Sequence, residues 1–171
     1  FINKKGKQVN VTRELRFIDS FRFMPASLDA LSKNLTKEQC KNTGSKYSGK
    51  QLDLLLRKGV YPYDYMDSIE RLNETELPPK TAFYSKLNDS YISDEDYEHG
   101  NTVWNEFCCK RMMDYHELYN VSDVLLLADV FENFRDVCMH HYKLDPAWYF
   151  TSPGLAWAAA LKLTGVKLEL L

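Results

Sequence analysis

A helical period running through residues 111–142 restricts this chain more than any other feature. On a helix of about 3.6 residues per turn, Tyr119, Asp123, Leu126, Leu127, Val130 and Phe134 share one stripe. Asp129, Glu132 and Asp136 fall on the opposite side, where solvated acids belong. Asp123 alone interrupts the apolar face. A buried unpaired carboxylate is costly, so it must be neutral, hydrogen-bonded or bound to a cation. Tyr119 lies one turn earlier on the same face. Two readings stay open at this point. A continuous helix gives an inward-facing carboxylate; a restart at Asn120 or Ser122 makes Asp123 a first-turn acid favoured by the helix dipole.

The remaining pattern suggests a mixed, helix-rich α/β chain. Residues 1–24 have strand character, with Val9 and Val11 and then Leu15, Phe17, Phe21 and Phe23 recurring with period two, and Lys5-Gly6-Lys7 as a hairpin turn. Ser27 caps a short helix through Leu28, Leu31 and Leu35. Residues 36–48 read as a polar loop around Thr43-Gly44-Ser45. Gln51–Arg57 reads as helix ending at Gly59. The prolines at 62, 78 and 79 imply irregular structure over 60–92. Ser93 starts a helix with acids in its first turn that runs to about Cys109. The long helix spans about 111–142, with an interruption near Asn120 left open, and Asp145-Pro146 ends it. Ser152-Pro153 opens a last helix that stops at Gly165.

Length and composition allow a real core, with 171 residues, 44% hydrophobic and 27% charged. A net charge of −2 excludes a uniformly basic DNA-coating protein. The charge is uneven, however: residues 1–60 are rich in Lys and Arg, and residues 64–98 are dense in acids, so one side can still hold phosphates. Cys40, Cys108, Cys109 and Cys138 have no C-x-x-C spacing, which argues for buried thiols over zinc. No stretch has the length of a membrane span. With no signal-peptide pattern, an intracellular location is expected. A chain that opens at Phe1 and ends in Val-Lys-Leu-Glu-Leu-Leu is expected to be a fragment.

Tyr119-Asn120-Val121-Ser122-Asp123 resembles the third exonuclease motif, Tyr-x-x-x-Asp, of family B DNA polymerases. Lys58-Gly59-Val60-Tyr61 looks like the Lys-x-x-hydrophobic motif of their protein-primed branch. Phe17-Ile18-Asp19-Ser20-Phe21 is similar to the strand carrying its Ser-Leu-x-x-hydrophobic motif, with Phe21 in place of Leu; Ser27-Leu28-Asp29-Ala30-Leu31 fits the same pattern, and the register stays open. Tyr149 to Trp157 looks like the approach to the palm in Polinton/Maverick mobile-element polymerases.

The resemblance implies the C-terminal part of a ribonuclease H-like 3′→5′ exonuclease domain over residues 1–144. Residues 145–171 would then be the linker and start of the palm. It implies that Asp123 is one carboxylate of a two-metal site for Mg²⁺ or Mn²⁺. Tyr119 would orient the attacking water, and Lys58 would neutralise charge at the scissile phosphate. Ser20 and Phe21 would hold the frayed primer strand, with Tyr63 stacking or touching its backbone. The implied partners are single-stranded and template-primer DNA, deoxynucleotides in the full-length protein, and a terminal protein primer. For a eukaryotic mobile element the implied compartment is the nucleus.

The first and second exonuclease motifs are not found upstream, and Asp96-Tyr97-Glu98 has the letters of the first only in a helix start. The chain ends before the palm carboxylates. Alone it is therefore expected to be inactive. The competing readings are a non-catalytic helical interaction module and a decayed mobile-element remnant.

Overall fold

The computed structural model describes residues 14–169. They are helix-rich: α1 Leu28–Ser32, α2 Lys41–Lys46, α3 Gly49–Leu55, α4 Asp94–Glu106, α5 Met112–Tyr142 and α6 Ser152–Thr164, joined by short 3₁₀ turns. Among the described residues, β pairing is limited to one antiparallel bridge, Ser85 with Ser90. The chain divides into two units, one being Ala26–Lys143 and the other the described parts of Phe1–Pro25 and Leu144–Leu171.

In the larger unit, α5 is the spine, packing against α1, α2 and the turn Glu70–Asn73. Its start is fixed by Asp114, whose Oδ2 accepts from the backbone N of Lys110 at 2.8 Å and of Arg111 at 3.0 Å. It runs 31 residues without a break and ends at Lys143 in the left-handed conformation. Of the two readings left open at Asn120, the continuous helix is the one that forms. Val103, Met112 and Tyr115 form one buried cluster with Leu54, Tyr61 and Leu77 against it. Leu126 and Val130 are buried further along α5.

α1 and α4 begin where their caps predict. Ser27 Oγ accepts from Ala30 N at 3.2 Å, and Ser93 Oγ from Asp96 N at 3.0 Å. Residues 36–48, expected as loop, instead form a 3₁₀ turn at Lys37–Gln39 and then α2. α2 carries no cap of its own. Asp129 of α5 supplies one: it accepts from Asn42 N at 2.6 Å, Asn42 Nδ2 at 3.0 Å, Thr43 N at 3.0 Å and Thr43 Oγ1 at 2.6 Å. Asp129 is fully buried, which overturns its expected place on a solvated face. Leu127, placed on the inward stripe by the periodicity, is 39% exposed. A helix with neighbours on several sides has no single wet face, and one stripe cannot describe it.

In the other unit, α6 begins with Thr151 Oγ1 accepting from Gly154 N at 3.4 Å and ends at Gly165, φ 67°. The expected strand does not form over 14–24; its continuation over 1–13, with Val9, Val11 and the Lys5-Gly6-Lys7 turn, lies outside the described residues. Leu15 and Phe17 are 85% and 91% exposed, so the alternation has no partner strand to satisfy it. Asp19 accepts from Phe21 N at 3.0 Å and folds the chain into a 3₁₀ turn at Ser20–Arg22. Among the described residues no helix is long and apolar enough to cross a membrane.

Candidate functional site

The segment that follows α3 lies down on α5 through a line of aromatic rings. Glycine at 59 makes the approach possible: a Cβ there would sit 2.8 Å from Tyr119 Cδ2 and 3.0 Å from Cε2. Val60 O accepts from the Tyr115 hydroxyl at 2.7 Å. The Tyr61 ring then stacks on Tyr119, centroids 4.8 Å apart and planes at 27°. Its hydroxyl is tied to His116 Nδ1 at 2.7 Å, and His116 Nε2 meets Asn120 Nδ2 at 2.9 Å. Two residues on, the Tyr63 ring stands edge-to-face with Tyr119, centroids 5.9 Å apart, and the two hydroxyls hydrogen-bond to each other.

Tyr119 is buried and points this hydroxyl toward the next turn of α5, where Asp123 sits. Asp123 Oδ1 is buried and has no hydrogen-bond partner. Burial pushes the Asp123 carboxyl up, opposed by the Tyr119 hydroxyl and, more weakly, by the charge of Lys58. Burial, the bond to Tyr63 and the neighbouring carboxylate together hold Tyr119 protonated well above the ordinary phenol range. Lys58 is half-buried and makes no ion pair among the described residues.

Of the residues singled out in the sequence, Lys58, Tyr63, Tyr119 and Asp123 therefore assemble in one place, although Lys58 and Asp123 are far apart in the chain. Ser20 and Phe21 belong to the other unit; Ser20 is half-buried and Phe21 is 59% exposed at the turn that Asp19 caps. Because α5 is unbroken, Asp123 lies in mid-helix, and its reading as a first-turn acid is removed. The sequence offers Gly59 as a helix stop and Tyr61 as the hydrophobic position of its motif; the close approach at Gly59 and the Tyr61–His116 clamp appear only in the structure. The available signal was the matched spacing of Tyr61 and Tyr63 with Tyr115 and Tyr119.

An orphaned, buried carboxylate oxygen suits a hard cation, which takes oxygen ligands. Asp123 fits as one such ligand. Among the described residues no group of three or more His, Cys, Asp or Glu is placed to hold a metal by itself. Comparison with known proteins finds no family model that matches this chain, and no curated protein or solved structure similar to it.

Proposed function

We propose that this chain is part of a family B DNA polymerase of the protein-primed type, contributing the C-terminal portion of a ribonuclease H-like 3′→5′ proofreading exonuclease. The observation that carries the reading is the unpartnered Asp123 oxygen beside Tyr119, with Lys58 and Tyr63 brought to it by a separate segment. A structural acid has its lone pairs satisfied; this one does not.

Asp123 would be one ligand of the divalent site, the remaining carboxylates coming from the two motifs not found in this sequence. With those ligands, Mg²⁺ or Mn²⁺ bound there would supply an activated water and charge stabilisation for a leaving 3′ oxygen. Tyr119 stays protonated and presents its hydroxyl as a donor, so it can orient a water without taking its proton. Lys58 offers an ammonium for a scissile phosphate. Tyr63 hydrogen-bonds the Tyr119 hydroxyl and is 62% exposed, which leaves side-chain surface for a base. Ser20 and Phe21 would guide the primer strand, and the parent enzyme would use deoxynucleotides, template-primer DNA and a terminal protein primer.

In the parent polymerase, Asp123→Ala should abolish proofreading and leave nucleotide addition largely intact. Normal exonuclease rates in that variant would remove Asp123 from the site. The 171-residue chain alone should show no exonucleolysis with Mn²⁺, and robust degradation would overturn the fragment reading.

A further inference from the structure

Beside Lys58 opens a cleft of about 330 Å³. Its lining combines three cations, Lys33, Arg57 and Lys58, with two aromatic residues, Tyr61 and Tyr63. Tyr63 is 62% exposed, so much of its side chain is open to a ligand. Two of the three cations already hold carboxylates from the same cleft. Lys33 Nζ lies 2.7 Å from Asp29 Oδ2, and Arg57 is paired with Asp96. Lys58 has no such partner among the described residues.

Carboxylates and phosphates are interchangeable partners for guanidinium and ammonium groups. Asp29 and Asp96 thus stand where phosphates would stand if a strand entered the cleft. The aromatic residues of the lining suit a base, which stacks without regard to sequence. We propose that Lys33 and Arg57 are phosphate-binding residues that extend the cationic track of Lys58 along a single DNA strand, and that Asp29 and Asp96 compete with the strand for them. The ligand's identity rests on the exonuclease reading. The assignment of these four residues depends on neither Asp123 nor a metal.

The test is anisotropy of a labelled oligothymidylate bound by the 171-residue chain, in EDTA, over a series of salt concentrations. Each phosphate contact on a single strand contributes about 0.7 to the slope of log affinity against log salt. Arg57→Gln and Lys33→Gln should each weaken binding and reduce that slope by about 0.7. Arg57→Lys should keep the slope, which separates lost charge from a damaged fold. Asp96→Asn should tighten binding by up to about fivefold, as a partly exposed competing pair is lost. Asp29→Asn should act in the same direction, by less. Unchanged slopes in both cation variants, weaker binding in both carboxylate variants, or no strand binding by the unaltered chain would each overturn the assignment. If the slopes change as expected while Asp123→Ala leaves proofreading intact in the parent polymerase, the exonuclease reading fails and the cleft assignment stands.

Discussion

Two aspartates six residues apart on α5 meet opposite fates. Asp129 is fully buried and accepts four hydrogen bonds from the first turn of α2. Asp123 is less buried, yet one of its oxygens is enclosed with no partner. The first carboxylate is compensated at both oxygens; the second has the Tyr119 hydroxyl beside it and keeps one oxygen without a partner. Burial by itself therefore says little about function. What marks a candidate site is a buried polar atom left without a hydrogen bond, because such an atom weakens the fold and points to a use beyond it.

The contrast can be broken most forcefully at Asp129. Asp129→Ala strands Asn42 N, Thr43 N and Thr43 Oγ1, and should cost about 3 kcal/mol or more in denaturant melts. A loss within error of zero would show that α2 does not depend on that carboxylate. Asp129→Asn should recover only part, since its NH₂ group faces donors. Next in size is Gly59→Ala, which drives a methyl against the Tyr119 ring. It should cost about 1–3 kcal/mol and alter the near-ultraviolet tyrosine dichroism.

At Asp123 the sign reverses. Asp123→Asn should stabilise the chain by about 1 kcal/mol at neutral pH. The folded pKa of Asp123 is raised by burial, so between its unfolded and folded values the native state holds more proton than the unfolded chain. Stability then falls as pH rises through that window, and the full penalty applies above it. The gain from Asn is accordingly complete above the folded pKa and fades as pH drops below it. Melts of both proteins over a pH series read this directly. The smallest effect is expected for Tyr61→Phe, which removes the bond to His116 and should cost about 0.5 kcal/mol, with a shift in the His116 ring nitrogen signals.

The elements that could be read from the sequence are those whose ends are set locally. Ser27, Ser93 and Gly165 mark the boundaries of α1, α4 and α6 because cap and helix are neighbours in the chain. α2 could not be read that way. Thr43-Gly44-Ser45 has turn chemistry, and the acid that caps the helix is 87 residues from Asn42. The same long-range bond hid Asp129, since a helical wheel shows faces and not the elements packed on them. The period-two alternation over 14–24 failed for the converse reason, as alternation reports a strand only where another strand pairs with it. For the candidate site, Tyr119 and Asp123 share a face by helical spacing alone. That Lys58 and Tyr63 reach the same face depends on the bare Cα of Gly59, a matter of packing.

Carbon-13 titration of the side-chain carboxyl of Asp123, assigned by comparison with Asp123→Asn, tests the central claim most directly. A carboxylate with one oxygen enclosed and unpartnered, and burial outweighing its neighbours, must titrate above the ordinary aspartate range without added Mn²⁺ or Mg²⁺. A midpoint at or below that range would mean that the oxygen is solvated or satisfied, and the contrast with Asp129 would collapse.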